Sequence, residues 1–222
     1  MGELGEGAAL SPESELVMEF KVSRASLREA LRILEAESLI EVRRGSRGGV
    51  KIRIPREETA AKSISLLLQL RGATLKNMFD ARLIIEPPLV GRLARMRSTG
   101  DLELLRHHLG RERAAIAQFQ VFPTLATEMH RLLVQGSENV ALSLIVGMLD
   151  ELYVRHLTRF IARQRPDQLM LNKATVANHA QMIAMIEARD ADGAEVIWRY
   201  HIQQSRQYIL SELGEDTLLA LI

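Results

Sequence analysis

The chain has no cysteine among its 222 residues. Disulfide frameworks and cysteine-ligated zinc or iron–sulfur sites are therefore excluded, and the absence fits a reducing cytoplasm. The N-terminus has neither a basic start nor an apolar run, so it does not have the pattern of a signal peptide. No stretch approaches the ~20 apolar residues that a membrane span needs. We therefore expect a cytoplasmic protein with no membrane partner.

The net charge of +1 hides an uneven distribution of charge along the chain. Residues 1–20 hold five glutamates and no base, residues 21–56 hold ten lysines or arginines against four glutamates, and residues 57–222 hold nineteen charges of each sign. A compact basic segment on an otherwise neutral chain is typical of a nucleic-acid-binding module. On charge alone, a solvated charged face explains the segment equally well.

The first quarter of the chain has helix signals followed by strand signals. Ser11 and Pro12 introduce a short predicted helix over 13–19. A second helix begins after the N-cap residue Ser23, and its apolar residues recur at three- and four-residue spacing: Leu27, Ala30, Leu31 and Leu34. Apolar residues then alternate with polar ones, as in strands, at Ile40 and Val42 and again at Val50, Ile52 and Ile54. Between these two stretches lies the turn RRGSRGG, which contains glycines and three arginines. These patterns predict a helix-turn-helix and a two-stranded hairpin, closed by Pro55.

The rest of the chain is helical in its periodicity and has no convincing strand. Apolar spacing predicts seven helices at roughly 58–71, 75–97, 101–119, 121–136, 138–164, 168–189 and 191–213. A run of six or seven helices predicts an antiparallel all-α bundle. We therefore predict a mainly α protein, with a winged helix-turn-helix domain over 1–55 and an all-helical domain over 56–222.

The start of the second helix carries residues that suit the major groove of DNA. These short polar and cationic residues are Ser23, Arg24, Ser26 and Arg28. Arginine can contact guanine through two hydrogen bonds, and serine hydroxyls suit phosphate oxygens. The hairpin tip, with Arg44, Gly45 and Arg47, would enter or flank the adjacent minor groove. An ordinary amphipathic helix beside a hairpin is the alternative, but the order of helix, cationic hairpin and basic segment favours DNA binding.

Segment 9–54 resembles the winged helix of GntR-type repressors through LSPESEL, VSRASLREALRILEAESLIEV and RRGSRGGV. The resemblance implies DNA contacts from Ser23, Arg24, Ser26, Arg28, Arg44 and Gly45. It also implies a homodimer, because two recognition helices must reach two half-sites of an inverted repeat. Two departures stand out. Only GELGEGAAL precedes this segment, so we expect the first helix of the family to be missing, and Ser14 stands where the family tends to have an arginine contact.

Three of the six histidines, His130, His179 and His201, lie in separate predicted helices. Imidazoles that converge from different helices are how bundles form metal sites. Spacing alone does not favour that convergence, because a single histidine in a helix is more often a core or surface residue.

Segment 75–213 resembles the helical, FCD-like effector domain of the FadR-type branch of this family. The resemblance rests on ARLIIEPPLVGRLA, MHRLLVQGSENVAL, NHAQMIAMIEARDADGA and WRYHIQQS. Many members of that branch bind a divalent metal through one aspartate and three histidines, and the histidines match His130, His179 and His201. The aspartate position, one turn before the first histidine, holds Ala126.

Two readings of these histidines stay open. Three imidazoles can hold zinc or nickel with water or an effector carboxylate as a further ligand. Neither Thr127 nor Glu128 is an obvious substitute for the missing aspartate, because Thr127 is only nearest in register and Glu128 points about 200° away from His130 on the helix. The alternative is a pocket in which the histidines bind the effector directly through hydrogen bonds.

Arg82 and Glu86 are spaced one helical turn apart. The plain interpretation is an ion pair on a helix surface. The resemblance implies instead that Arg82 points into the pocket and grips an effector carboxylate. Asp80 would join Arg82 there or stay in solvent, and we expect Trp198 and Tyr200 to pack in the core.

The patterns favour a ligand-responsive transcription regulator over two alternatives. We expect a repressor that a small carboxylate or acyl metabolite releases from its operator or retains on it. A metal-dependent hydrolase would need a positioned general base, and the sequence lacks H-E-x-x-H, a G-x-S-x-G elbow and a phosphate-binding glycine loop. A ligand-free architectural DNA-binding protein would leave the large helical domain without a purpose. We therefore expect no enzyme activity.

Overall fold

The computed structural model describes residues 5–43, 49–54, 57–161 and 167–219, with their side chains except those of 57–59, 61–63 and 155–161. The described residues form nine helices and one two-stranded sheet. In chain order these are α1 (Glu13–Phe20), α2 (Arg24–Ala36), β1 (Ile40–Arg43), β2 (Gly49–Ile52), α3 (Glu57–Leu70), α4 (Leu75–Met96), α5 (Thr99–Ala114), α6 (Phe122–Gln135), α7 (Val140–Ile161), α8 (Gln168–Glu187) and α9 (Ala191–Leu213). The predicted mainly α fold is confirmed.

The chain divides into two compact units, Met1–Ala60 and Ala61–Ile222. A small apolar core joins α1, α2 and the sheet of the first unit, and its buried members are Leu16, Leu27, Leu31, Ile40 and Val50. β1 and β2 pair in antiparallel register, and the Leu10 amide extends this sheet by donating to the Val50 carbonyl at 2.8 Å. The predicted apolar face of α2 is therefore present, except that Ala30 is exposed.

α4 is the central helix of the second unit and packs against α6, α7, α8 and α9. Its core-facing side chains are at most 1% exposed: Leu75, Met78, Phe79, Val90, Leu93 and Ala94. The helix begins with a capping box, in which Thr74 accepts from the Asn77 amide and Asn77 accepts from the Thr74 amide. No helix within the described ranges combines the length and apolar character required to cross a membrane.

Two adjacent prolines, Pro87 and Pro88, lie inside α4. Because proline has no amide hydrogen, Pro87 cannot donate to the Leu83 carbonyl one turn earlier. Arg199 of α9 supplies that donor instead, with its Nη1 2.9 Å from the Leu83 oxygen. The hydrogen bond ties α9 to α4 immediately beside Trp198, which is fully buried.

α5 differs from its predicted bounds at both ends. It begins at Thr99 because Ser98 is its N-cap: Ser98 Oγ accepts from the Asp101 amide at 3.1 Å, and Asp101 accepts from the Ser98 amide at 2.7 Å. The prediction started the helix at residue 101. The helix ends at Ala114 rather than 119, because Ala115 already donates three residues back to the Glu112 carbonyl.

Candidate functional site

The N-terminal end of α2 presents its polar residues to solvent. Ser23, Arg24, Ser26 and Arg28 are all exposed. Ser23 caps the helix as expected, since its Oγ accepts from the Ser26 amide at 3.0 Å and lies 2.8 Å from Ser26 Oγ. The first turn of α2 is therefore fixed by its own side chains while its arginines remain accessible.

Arg28 has one partner in the first unit. Its Nε donates to Glu13 of α1 at 3.2 Å, with both side chains about half exposed or more. An ion pair so accessible to water contributes little to stability. The predicted contacts from the hairpin tip, Arg44, Gly45 and Arg47, lie outside the described residues.

In the second unit, three imidazoles converge from three helices. His130 comes from α6, His179 from α8 and His201 from α9, and none is more than 6% exposed. His201 Nε2 lies 3.3 Å from His130 Nε2 and 3.4 Å from His179 Nε2. The three ligand nitrogens all lie within 4.8 Å of one another. We call this cluster the histidine centre.

Buried carboxylates fix the orientation of two of these rings. His130 Nδ1 donates to Glu86 of α4 at 2.7 Å. His179 Nδ1 donates to Glu112 of α5, whose two oxygens lie at 2.9 and 3.0 Å. With Nδ1 used as a donor, each ring turns the lone pair of its Nε2 toward the other imidazoles. Such a carboxylate behind an imidazole is the usual outer partner of a metal ligand.

Arg82 lies behind this arrangement. It is 1% exposed, and it donates to Glu86 and to Asp150, both at 2.6 Å. The pair with Glu86 is thus buried, not the surface ion pair that the spacing suggested. Arg82 is also absent from the wall of the cavity described below, so the geometry does not favour its gripping an effector carboxylate directly. Asp80 lies near the surface beside Lys76 and Arg206.

Burial and neighbouring charges lower the pKa values of two histidines of the centre and of the carboxylate of Glu86. Burial, reinforced by the charge of Arg82, lowers the pKa of His130 to about 4. Burial also holds the pKa of His201 well below its ordinary value. Burial alone would raise the pKa of Glu86, but the charges and hydrogen bonds of Arg82 and His130 together outweigh burial and lower that pKa to about 2. At neutral pH His130 and His201 are therefore neutral, which is the form that ligates metal.

The histidine centre has the donor set and spacing of a metal site. Imidazole nitrogens bound to zinc at about 2.0–2.1 Å in tetrahedral geometry lie about 3.3–3.4 Å apart. The two measured separations, 3.3 and 3.4 Å, match that value. The Nε2 lone pairs of His130 and His179 both face His201 Nε2 in a dry interior, where a cation between the three nitrogens would be bound by all of them. The residues therefore form a group that can hold a divalent metal ion.

The position of the missing aspartate faces open space. Ala126 lines a cavity next to His130. Thr127 donates its hydroxyl to the Pro123 carbonyl at 3.0 Å, and Glu128 pairs with Arg111 away from the centre. Neither side chain replaces the carboxylate, as the helix geometry predicted.

The cavity beside the histidine centre has a volume of about 130 Å³. It is bounded by α6, α7, α8 and α9, and His130 and His201 form part of its wall. Its polar lining consists of neutral amides and hydroxyls: Thr127, Tyr153, Gln168, Asn172, Thr175, Asn178, Gln204, Ser205 and Tyr208. No aspartate, glutamate, lysine or arginine is among the described residues that line it. The cavity therefore suits a small ligand with several hydrogen-bonding groups.

Sequence reasoning missed the role of Glu112. It follows Leu102, Leu105 and Leu109 at the spacing of one helix face, so it occupies a position where an apolar residue is expected. An acid in an apolar stripe was the available signal. Trp198 was expected only to pack, and it does so, but its Nε1 also donates to Glu86 at 2.9 Å. Tyr200, expected in the core, is 50% exposed.

Comparison with known proteins agrees with this two-part organisation. The sequence pattern of the FCD domain matches residues 77–204, and that of the bacterial regulatory proteins of the gntR family matches residues 1–50. The HTH-type transcriptional repressor NanR of Cronobacter sakazakii is 27% identical over 207 residues, which cover 90% of this chain and 76% of that protein. The NanR of Klebsiella aerogenes is 27% identical over 210 residues, which cover 91% and 77%.

Solved structures agree on the fold. A GntR protein of Streptococcus agalactiae superposes with a TM-score of 0.70 at 22% identity, covering 93% of this chain and 92% of that one. McbR/YncC of E. coli gives a TM-score of 0.54 at 15% identity, covering 95% and 91%. The matching families are transcription regulators, which leaves the hydrolase alternative without support. The FCD pattern alone spans more than half of the chain, so this protein belongs to the GntR family of bacterial transcription regulators and carries its helical FCD domain.

Proposed function

We propose that the protein is a repressor whose hold on an inverted-repeat operator changes when a small carboxylate enters the cavity beside the histidine centre. The observation that carries this proposal is the convergence of His130, His179 and His201 next to a cavity lined by neutral hydrogen-bonding groups. Repression is supported by similarity to the NanR proteins, which are repressors by name.

The exposed end of α2 is the proposed reading surface. Ser23, Arg24, Ser26 and Arg28 stand exposed at a helix N-terminus, as major-groove contact requires. We propose that residues 1–55 form the DNA-binding domain and that the rest forms the effector domain. A homodimer would present two such helices to the two halves of an inverted repeat, inside the cytoplasm where the chromosome lies.

We propose a divalent metal ion, zinc or nickel, for the histidine centre. His130, His179 and His201 would hold it through Nε2, with Glu86 and Glu112 as outer partners. When bound, such an ion supplies a positive charge that attracts a carboxylate. The protein's own part is to orient the imidazoles and to exclude water from them, and their burial and hydrogen bonds support that role.

The cavity indicates what kind of acid would fit. Its volume of about 130 Å³ is close to the ~150 Å³ of an apolar cavity that binds benzene. A volume of this size suits a small ligand, which supports the small-carboxylate half of our expectation. Gln168 and Asn172 of α8 and Gln204 of α9 line the cavity, and amide side chains suit hydroxyl or amide groups on a ligand.

A binding experiment tests this function. Duplexes that the full-length protein selects from a random pool serve as operator, and anisotropy reports the affinity with Zn²⁺ and a panel of small hydroxy and amido acids. We expect at least one acid to change operator affinity tenfold or more, and its uncharged amide to have no effect. The histidine dependence is checked with His201→Gln, which should lose the response.

The alternatives give different results. A protein that selects a duplex but ignores every acid is an architectural DNA-binding protein. A protein that selects no duplex contradicts the assignment of α2 as a reading helix. A response that survives both chelation and His201→Gln would place the effector elsewhere.

A further inference from the structure

Glu112 is a buried carboxylate whose partners differ from those of Glu86. Its side chain is fully buried, and both oxygens lie within 3.0 Å of His179 Nδ1. Within the part of the chain that the structure describes, no lysine or arginine lies within ion-pair distance of it. A carboxylate in a dry interior without a full positive charge beside it is costly.

The contrast with Glu86 is direct. Arg82 lies 2.6 Å from Glu86 and balances its charge locally. Near Glu112 the other basic group is His108, at 3.6 Å, but His108 Nε2 already bonds to the Leu125 carbonyl at 2.8 Å. The hydrogen-bond partner of Glu112 is therefore Nδ1 of His179, and Nε2 of the same ring faces His201.

That arrangement places a negative charge just outside the proposed first coordination sphere, whose three imidazoles include no anionic ligand. The resemblance implies an aspartate ligand at position 126, and Ala126 supplies no charge. Glu112 reaches the same centre through the imidazole of His179. A carboxylate behind a ligating imidazole raises the basicity of that ring and fixes its tautomer.

We propose that Glu112 is a positioning residue of the histidine centre and supplies, through His179, the negative charge that Ala126 does not. This inference rests on the proposed metal site. It gives the sequence departure at residue 126 a structural counterpart: the anion is moved from the first coordination sphere to the second, and the cavity side of the centre is left open for the effector.

Zinc titration of chelator-stripped full-length protein tests the proposal. Glu112→Gln keeps the shape and one acceptor but removes the charge, so we expect Zn²⁺ affinity to fall roughly tenfold to a hundredfold. The melting temperature of the stripped protein should stay close to that of the parent, because a buried charge has also been removed. Glu128→Gln, which removes a carboxylate that pairs with Arg111, is the matched control and should bind Zn²⁺ like the parent.

Rescue separates a charge role from mere packing. In the double variant Glu112→Gln with Ala126→Asp, the new carboxylate stands one helical turn before His130, and Zn²⁺ affinity should return to within a few-fold of the parent. A residue that only fills space would not be replaced by a carboxylate on another helix.

Each outcome decides the matter. Parent-like affinity in Glu112→Gln, or a loss that Ala126→Asp does not restore, overturns this proposal while the metal site stands. A parent that binds no Zn²⁺ overturns both. Should Glu112→Gln fail to fold, Glu112→Asp draws the carboxylate back from His179 Nδ1, and parent-like affinity in that variant overturns the proposal equally.

Discussion

The two units place their candidate functional residues in opposite settings. In the first unit, Arg24 and Arg28 stand on an exposed helix end, and the buried core residues described for that unit are all apolar. In the second unit, His130, His179 and His201 are buried together with their own charged partners. An exposed DNA-contacting surface needs suitable residues in a suitable order on one helix. A buried centre needs several helices to pack so that their side chains meet at one place.

The difference has an energetic consequence. Substitution of an exposed arginine removes a contact with the partner and leaves the fold as it was. Substitution of one member of a buried ion pair also leaves the other charge without its partner, and the free energy of unfolding falls. Removing a charged side chain should therefore affect binding alone in the first unit, and it should affect stability in the second unit wherever a buried charge is left unpaired.

The largest expected effect is that of removing the buried cation. Arg82→Met leaves Glu86 in the core without the charge that pairs with it, and we expect the free energy of unfolding to fall by about 3–5 kcal/mol. Denaturant titration of parent and variant measures it. A loss below ~1 kcal/mol would mean that the carboxylates of the centre do not depend on Arg82.

Acid should destabilise the stripped protein before its surface carboxylates titrate. Burial lowers the pKa of His130 from 6.5 to about 4. The stability that comes from this neutral histidine is therefore complete above pH ~6.5 and is lost as the pH falls toward 4. Over that range the unfolded chain binds a proton at this residue and the folded chain does not. His130 alone contributes about 3 kcal/mol across that window. The lowered pKa of Glu86 extends the loss to still lower pH.

Thermal melts of chelated protein between pH 7.5 and 4.5 check this loss of stability. His107 is exposed, so His107→Gln should show the same pH dependence as the parent, while His130→Gln should flatten it. A melting temperature that does not change with pH over this range would show that folding does not lower the pKa of the buried histidine.

In the first unit we expect an effect on binding alone. Arg24→Ala and Arg28→Ala should each weaken operator binding by about 1–3 kcal/mol with unchanged melting temperature, because both side chains are exposed. Arg32, which lies one turn further along α2 beside Glu29, provides the control, and Arg32→Ala should have a smaller effect. Parent-like binding by both Arg24 and Arg28 variants would contradict the proposed docking.

The smallest effect sharpens the comparison inside a single helix. Lys76 and Asp80 in α4 have the same four-residue spacing as Arg82 and Glu86, but both are 42% exposed and their charged atoms lie 3.7 Å apart. Lys76→Ala should change the free energy of unfolding by no more than ~0.5 kcal/mol. A loss comparable with that of Arg82→Met would mean that burial does not set the energy of these pairs.

The helices and the hairpin could be predicted because their signals are local. Ser23 caps α2 with its own hydroxyl, and the apolar spacing of Leu27 and Leu31 marks the buried face. The ends of the helices were harder to predict from the sequence. The start of α5 depends on the reciprocal hydrogen bonds of Ser98 and Asp101, and the same residues also suit a turn.

The sequence by itself determined the family and the mainly α fold, and it singled out the proposed reading helix and the three histidines, since each depends on residue type and spacing along the chain. Only the tertiary structure decided that Arg82 faces Glu86 and Asp150 instead of the cavity, and that Glu112 stands behind His179. The physical reason is distance along the chain. Glu112 and His179 are 67 residues apart, and no periodicity within one helix records which residue of another helix it will face.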